Sequence, residues 1–463
     1  MQTYSTVDEV LARCRVLEGL TLKQLALNEG WSVETLNKGS VGHLIEEAGF
    51  GVSKNSSPHP DLEVAGVEVK AVPLKMGRNQ VHVKERTKVC SLDYFSVVKE
   101  AWTTSHCFRK INRMVLIFFE HRSDDRMSGR ILGHLLYDLS REDRASDTAL
   151  LEHDWLNIQR TVVEGRAHEL SESLTGVLAA STTGQGGGRD FVEQPYSQEP
   201  AKRRAFSLKP SYTGVLWREI RQPLAFDTLA SAPTYDATRN PREFLLARMQ
   251  PYIGMSLADI SRSCGVALKS GKAASSGFVR AILGMAEGTK AIREFEALGI
   301  RIRVFPVEPV THRVKESISF PHQPLAEILE EGRFENSMLA EWVSEILFIP
   351  VYRSGREGYE QATLGTPFFW SPDDTDCSAM QAEFARACDR ISTIQQTFKT
   401  AGATGPFKLL PASETSRIHL RPHGRNARDT DSSIGPAITK QSFWLNARFI
   451  GQLVSRQAGN PGQ

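Results

Sequence analysis

Apolar residues near the amino terminus recur at helical spacing: Val7, Val10, Leu11 and Cys14 fall on one face of a helix. Leu22, Leu25 and Leu27 begin a second short segment of the same kind. Ser40, whose hydroxyl can take the first free N–H groups of a helix, predicts a third helix through Leu44 and Ile45, stopped by Gly49 and Gly51. The period then changes. After a polar loop from Ser53 to Pro60, the stretch Val67 to Leu74 alternates Val67 and Val69 against Glu68 and Lys70, as a strand with one polar face would. Arg113 to Phe119 is apolar after its first residue, which predicts a central strand covered on both faces. Helices framing a mixed sheet make an α/β core. Ala180 to Pro200 is rich in Ser, Thr, Gly and Gln, with Gly186, Gly187 and Gly188 in its middle, and reads as a mobile loop. Thr228 to Pro241, where Ala, Ser, Pro and Asn interrupt the apolar pattern, reads as a break between domains.

The two halves repeat one pattern. Asp61-Leu-Glu-Val-Ala-Gly-Val-Glu-Val-Lys-Ala-Val-Pro-Leu74 lies without a gap over Glu294-Phe-Glu-Ala-Leu-Gly-Ile-Arg-Ile-Arg-Val-Phe-Pro-Val307. Upstream, Ser40 to Glu46 matches Ser275 to Ala281; towards the ends, Ala205 to Leu208 matches Ser442 to Leu445. Matches in the same order predict two copies of one fold. The expected layout is a first domain over 1–227, a linker over 228–241 and a second domain over 242–463.

A chain of 463 residues exceeds one ordinary domain, so its size accommodates that layout. With 40% hydrophobic and 24% charged residues it has the composition of a soluble globular protein. The formal charge of +2 excludes a simple polycation, so any nucleic-acid surface has to be local. The start Met1-Gln2-Thr3-Tyr4-Ser5 lacks the pattern of a signal peptide, and the longest strongly apolar run, Met114 to Phe119, is far too short to span a bilayer. The six cysteines form no C-x-x-C pair and suggest neither a zinc site nor a disulfide framework. These features together point to the cytoplasm and away from membranes.

Asp61, Glu68 and Lys70 make a D-x6-E-x-K motif. Residues two apart on a strand share a face, roughly 7 Å apart, so Glu68 and Lys70 look into one cavity that Asp61 can reach from the preceding loop. Two carboxylates suit Mg²⁺, which polarises a phosphodiester and acidifies a bound water, and an ammonium can orient that water. Alone, the spacing is also what a solvated strand with a Glu–Lys pair writes. Glu46, on the third helix, can enter the same site.

The run Lys38-Gly-Ser-Val-Gly-His-Leu-Ile-Glu46, then Asp61, then Gly66-Val-Glu68-Val-Lys70-Ala-Val-Pro73 resembles the MutH and GATC-cutting type II restriction endonuclease family. Trp102-Thr-Thr-Ser105-His106-Cys-Phe-Arg-Lys110, His168 to Glu172, Ala205 to Lys209, Arg421-Pro-His423 and Thr439 to Leu445 resemble further blocks in order, over most of the chain. The resemblance implies two tandem restriction-endonuclease-like (MutH-like) domains, each a mixed sheet flanked by helices, the second degenerate. It gives Asp61 and Glu68 to the metal, Lys70 to the attacking water, Glu46 to a supporting or second-metal role and Lys110 to the phosphate. It places Lys38 at the target base pairs and turns Ser105, His106, Lys209, Arg421 and His423 towards DNA. The family's aromatic Tyr contact is Ser207 here, and the Glu that follows the Trp in its nicking member is Thr103.

Lys84, Glu85, Arg86 and Lys88 form either a solvated face or a DNA-facing loop, with Lys84 and Arg86 the contacts in the second case. The loop from Ala180 to Arg189 is expected on DNA, and Arg425 joins Arg421, His423 and Arg428 in a basic cluster. His419 and His423 are four apart, but Pro422 opposes a helical zinc pair. Gly184 to Arg189 lacks the Gly-Lys-Ser/Thr of a nucleotide-binding loop. The expected activity is Mg²⁺-dependent double-strand cleavage at or near GATC; a repair-type nicking enzyme and a non-cutting reader of DNA modification are the alternatives. Double-stranded DNA is the partner, with a DNA-bridged or transient homodimer and a cognate methyltransferase met genetically rather than physically. In the second half the repeat puts Glu294, Arg301, Arg303 and Ala281 where the first has Asp61, Glu68, Lys70 and Glu46, which predicts a DNA-binding half without a metal site.

Overall fold

Along the chain, helices and strands alternate in two similar series. A computed structural model describes residues 3–31, 40–52, 57–77, 81–122, 125–184, 190–223, 226–233, 235–236, 240–265, 274–285, 290–354, 358–401 and 409–459. The first series is α1 (Val7–Leu17), α2 (Leu22–Asn28), α3 (Ser40–Phe50), β1 (Glu68–Met76), β2 (Val81–Val83), β3 (Thr87–Leu92), α4 (Tyr94–Val97), α5 (His106–Ile111), β4 (Arg113–His121) and β5 (Ile131–Asp138). It continues through α6 (Ala145–Val163), β6 (Leu178–Thr182), β7 (Phe191–Gln194), β8 (Ser197–Lys202), β9 (Arg204–Leu208), α7 (Pro210–Arg221) and β10 (Phe226–Asp227). The second series opens with α8 (Pro241–Met249), α9 (Leu257–Cys264), α10 (Ala274–Ile282), β11 (Ala291–Ile292), α11 (Arg293–Leu298), β12 (Ile300–Val307), β13 (Ile318–Ser319), α12 (Leu325–Glu331), α13 (Met338–Val343) and β14 (Glu345–Tyr352). It ends with β15 (Thr363–Leu364), β16 (Phe368–Trp370), α14 (Asp374–Ala401), β17 (Ile418–Pro422), β18 (Thr430–Asp431), β19 (Ile438–Thr439), β20 (Gln441–Leu445) and α15 (Ala447–Gly459).

The chain folds as two α/β units. Unit 1 comprises 1–230, 234–240 and 290–298; unit 2 comprises 231–233, 241–289 and 299–463. In unit 1, β1 runs parallel to β4, with β2 and β5 antiparallel on the outer edges. Met114 to Phe118 are fully buried in β4, which is why that strand is a continuous apolar run. Val10, Cys14, Leu17, Leu25, Leu44 and Ile45 carry the first three helices onto Val67, Val69, Val115 and Ile117 of this sheet. The helix starts follow the sequence: Thr6 caps α1, and Thr21 with Gln24 forms a reciprocal capping box on α2. A second, antiparallel sheet has the order β3-β9-β6.

Unit 2 repeats this plan. β12 runs parallel to β14, with β15 and β16 antiparallel to β14, and β13-β20-β17 forms the second sheet. The likeness extends to bonds made to the backbone. Asp154 on α6 accepts from the N–H groups of Gly176, Val177 and Leu178 where the chain enters β6; Glu383 on α14 accepts from Ser416, Arg417 and Ile418 where it enters β17. Each such bond to a buried carboxylate contributes about 1.5–3 kcal/mol. Lys209 after β9 donates to the Thr175 carbonyl, and Asn446 after β20 donates to the Thr415 carbonyl at 3.0 Å.

Two regions depart from the expected pattern. Ala180 to Pro200 is not one loop: β6 continues to Thr182, and β7 pairs with β8 in a hairpin turned at Tyr196, whose φ is 66°. Ser197–Lys202 is mostly exposed on both faces, so it writes no apolar alternation. The three glycines Gly186, Gly187 and Gly188 lie outside the described residues. The second departure is the segment Lys290–Leu298, which belongs to unit 1 although the chain has already entered unit 2. There β11 pairs with β10, and Arg293 binds Asp147 at 2.7 and 2.9 Å and Glu219 at 2.5 Å. Arg144 bridges the same two carboxylates at 3.1 and 2.9 Å. Among the described residues no helix is long and apolar enough to cross a membrane.

Candidate active site

The site begins with a turn. Leu62 and Val67 exchange backbone hydrogen bonds at 2.9 and 3.2 Å, and Gly66, with φ +67°, takes the left-handed conformation that lets the chain reverse. The reversal lays Asp61 beside the start of β1. Its N–H donates to Glu68 Oε2 at 3.0 Å, and the Val69 N–H donates to Asp61 Oδ2 at 3.1 Å. A loop carboxylate is thereby fixed against a strand carboxylate by the backbone of each. Strand alternation buries Val67 and Val69 behind them.

Two ammonium groups sit between these carboxylates. Lys70 Nζ is 2.5 Å from Glu68 and 3.8 Å from Asp61; Lys110 Nζ, from α5, is 2.8 Å from Glu68 and 3.6 Å from Asp61. Ser105 sets the start of α5, its hydroxyl accepting from the Phe108 N–H at 3.0 Å and donating to the Trp102 carbonyl at 2.8 Å. Ser105 is fully buried, so both capacities of its hydroxyl serve the position of Lys110. His106 donates its N–H to Glu100, and burial and nearby Lys110 lower its pKa while a bond to the Ser57 backbone resists.

Burial governs the charges. It pushes Glu46 up to about 7, with Lys70 opposing and Asp61 and Glu68 adding to the rise. Glu46 thus shares the field of the whole cluster from α3. Burial also raises Glu68, against the pull of Lys70. Lys70 is lowered by burial, but Glu68 and Asp61 outweigh this and raise it overall.

Convergence of two cations on one carboxylate pair marks the seat of a cation, and hard oxygens suit a divalent ion. Among the described residues no group of three His, Cys, Asp or Glu could hold a metal, so Asp61 and Glu68 would leave the remaining positions to water and substrate oxygens. Such partial protein ligation is usual for Mg²⁺. The residues therefore fit a divalent ion.

The other expected contacts are scattered. Lys84 is exposed after β2; Arg86 is held by Glu172 at 2.6 Å. The Lys209 side chain reaches the Thr175 carbonyl inside its own unit. Lys38 lies outside the described residues. In unit 2, Arg421 lies 4.0 Å over the Trp444 ring, His423 is 4.7 Å from it and 3.1 Å from Ser442, and Arg425 meets Asp429 at 3.3 Å. The backbone bond from Val69 to Asp61 was invisible in the sequence, because any residue can supply an N–H.

The counterpart in unit 2 is chemically different. Glu68 pairs with Met114, the second residue of β4, and Arg301 pairs with Ile346, the second residue of β14. Lys70 and Arg303 follow in the same register. Ser337 caps α13 as Ser105 caps α5, and five residues on stands Trp342 instead of Lys110. Glu294, the sequence counterpart of Asp61, lies on α11 in unit 1 and accepts from the Leu229 N–H.

Comparison with known proteins agrees with this duplication. The sequence profile of the DNA mismatch repair enzyme MutH matches residues 50–154 and again 283–383. The type II restriction enzyme Sau3AI of Staphylococcus aureus is 28% identical over 98% of this chain and 99% of its own. DNA mismatch repair protein MutH of Shewanella amazonensis is 30% identical over 36% of this chain and 72% of its own, and that of Vibrio cholerae 26% identical over 45% and 94%. With this agreement and the carboxylate–lysine site of unit 1, the chain belongs to the MutH family of DNA endonucleases.

Proposed function

We propose that this protein is a type II restriction endonuclease that hydrolyses both strands of duplex DNA at or near GATC, with Mg²⁺ as its cation. The observation that carries the reading is that likeness to a restriction enzyme runs the length of both units while the constellation of the first is complete. The nicking relatives match less than half of the chain, which disfavours single-strand cutting.

When bound at Asp61 and Glu68, the ion supplies Lewis-acid polarisation of the scissile phosphate and an acidified water. Lys70, 2.5 Å from Glu68, is the group that holds and orients the attacking water. Lys110 keeps Glu68 in place and faces the charge that grows on the phosphate. Glu46 supports the cluster from α3. Unit 2 holds DNA without cutting it and regulates unit 1. Two chains meet on DNA as a transient homodimer in the cytoplasm, and a methyltransferase of the same specificity protects the host.

A plasmid with one GATC site, incubated with the protein and Mg²⁺, tests this. Linear product with ends mapping to that site is expected. Accumulation of open circles would favour nicking, and intact plasmid would overturn the reading.

A further inference from the structure

The carboxylates of unit 1 are paired with cations of the protein itself. Glu68 Oε1 meets Lys70 Nζ at 2.5 Å, and Glu68 Oε2 meets Lys110 Nζ at 2.8 Å. Lys70 Nζ also lies 3.8 Å from Asp61 Oδ2, an oxygen that accepts from the Val69 N–H at 3.1 Å. Lys110 Nζ lies 3.6 Å from Asp61 Oδ1, the other oxygen of that carboxylate. All four oxygens thus face an ammonium, and each ammonium bridges the two carboxylates. A divalent ion ligated by Asp61 and Glu68 has to share these oxygens with the lysines.

The two lysines differ in their freedom to leave. Lys70 stands two residues from Glu68 on one face of β1, so the strand itself keeps that pair together. Lys110 arrives from α5, 42 positions from Glu68 in the chain, and carries its charge at the end of a flexible four-carbon stem. Rotation about that stem withdraws the ammonium without moving either element. Charge gives the reason to withdraw it. Glu68 and Lys110 are almost wholly buried, so their surroundings screen charge poorly. Two carboxylates and two ammonium groups balance there. Even with Glu46 ionised, a divalent ion beside both lysines leaves an excess of positive charge. The excess is relieved when Lys110 passes to an anion, and a DNA phosphate is the anion that the reaction itself brings.

We infer that Lys110 occupies the cation seat in the DNA-free protein and yields it when a DNA phosphate draws its ammonium away, so that the divalent ion binds tightly only together with DNA. The inference rests on the reading that Asp61 and Glu68 ligate the ion of a nuclease, and it adds the regulation of that site. Lys110 competes with the metal before it serves the phosphate. The linkage runs both ways: the ion tightens DNA by the factor by which DNA tightens the ion.

The test titrates the full chain with Ca²⁺, which takes the same carboxylate oxygens, and reads its affinity by calorimetry with no DNA present. Lys110→Met and Lys110→Gln remove the charge and should each tighten Ca²⁺ by about tenfold or more, within the usual span for linked sites. Lys110→Arg keeps the charge and should bind Ca²⁺ as weakly as the unaltered chain. Asp61→Ala should lose the signal, which ties it to this site. Melting curves verify the fold of each variant, and either neutral variant suffices. A GATC duplex, shown on a gel to stay whole in Ca²⁺, should tighten the ion by a similar factor in the unaltered chain and by much less in Lys110→Met. Neutral variants that bind Ca²⁺ no better than the unaltered chain would overturn the inference. So would equal tightening by the duplex in the unaltered and Lys110→Met chains, since phosphate ligation alone would then carry the linkage. Failure of the unaltered chain to cut plasmid would sink the nuclease reading separately, leaving the DNA-free titrations to judge Lys110.

Discussion

β1 and β12 hold the same register against their parallel partners, yet one presents Glu68 and Lys70 and the other Arg301 and Arg303. What stays the same between the units speaks to the backbone: Asp154 and Glu383 at a strand entry, Lys209 and Asn446 at a carbonyl, Ser105 and Ser337 at a helix start. What differs points into the site. A fold can therefore be copied through bonds that ignore side-chain identity elsewhere, while a handful of outward groups decides whether the copy presents a carboxylate beside a lysine or two arginines.

The largest expected effect separates the two strands. Asp61→Ala, Glu68→Ala or Lys70→Ala should each lower cleavage at least about a thousandfold while leaving DNA binding largely intact, measured as single-turnover rates beside gel-shift affinities. Retained cutting in Glu68→Ala would remove the site from unit 1. The converse exchange, Arg301→Glu with Arg303→Lys and Trp342→Lys, should not create a second nuclease. Its missing piece is the loop carboxylate, because Glu294 is engaged with the Leu229 N–H in unit 1.

That missing carboxylate also shows where sequence reasoning stops. The first helices, both central strands, the D-x6-E-x-K cluster and the repeat were legible, because periodicity and spacing are local. Lys110 was placed by resemblance alone, since its meeting with Glu68 spans 42 positions and depends on how α5 docks. The ungapped match of Glu294 with Asp61 holds as letters and fails as geometry: Gly66 and Gly299 are both left-handed before their strands, but Asp61 precedes a turn closed by Leu62 and Val67, whereas Arg293–Leu298 is helical. Nothing local announces that Arg293 will be captured by Asp147 and Glu219, far away in the chain.

That capture sets the next prediction. Arg293→Ala leaves Asp147, almost wholly buried, facing only Arg144, and should destabilise unit 1 by about 3–4 kcal/mol in chemical denaturation. It also bears on cutting the chain in two: a fragment ending near residue 240 loses Lys290–Leu298 and with it this clamp. An unchanged midpoint in Arg293→Ala would show the segment to be an ornament on unit 1.

Acid should weaken unit 2 through one buried histidine. His419 in β17 is fully buried where unit 1 has Ala179, each facing its partner strand at Trp444 and Ser207 respectively. Burial lowers its pKa to about 4, with the bond to Asn446 resisting and Arg421 adding to the fall. A histidine depressed in the folded state contributes stability that is complete above its unfolded value of about 6.5 and is lost as pH falls from there towards 4. The loss should reach roughly 3 kcal/mol, read from denaturation midpoints between pH 7 and 4, and His419→Gln should flatten that slope. A slope unaltered by the substitution would place the acid sensitivity elsewhere.

The smallest effect is the most discriminating, because it uses one substitution at two equivalent places. Ser105 and Ser337 each accept the N–H three residues on and each donate to a carbonyl three residues back, at 2.8 and 2.7 Å. Both hydroxyls are buried, so replacing either with alanine should cost about 1–2 kcal/mol in stability. The consequences for cleavage should diverge. α5 carries Lys110 to within 2.8 Å of Glu68, so a frayed first turn in Ser105→Ala lets the ammonium drift and should lower kcat several-fold with little change in KM. α13 carries Trp342, which touches no reacting group, so Ser337→Ala should melt earlier and cut at the normal rate. Equal loss of kcat in both variants would mean that cleavage follows global stability, and that the cap on α5 has no particular hold on the catalytic lysine.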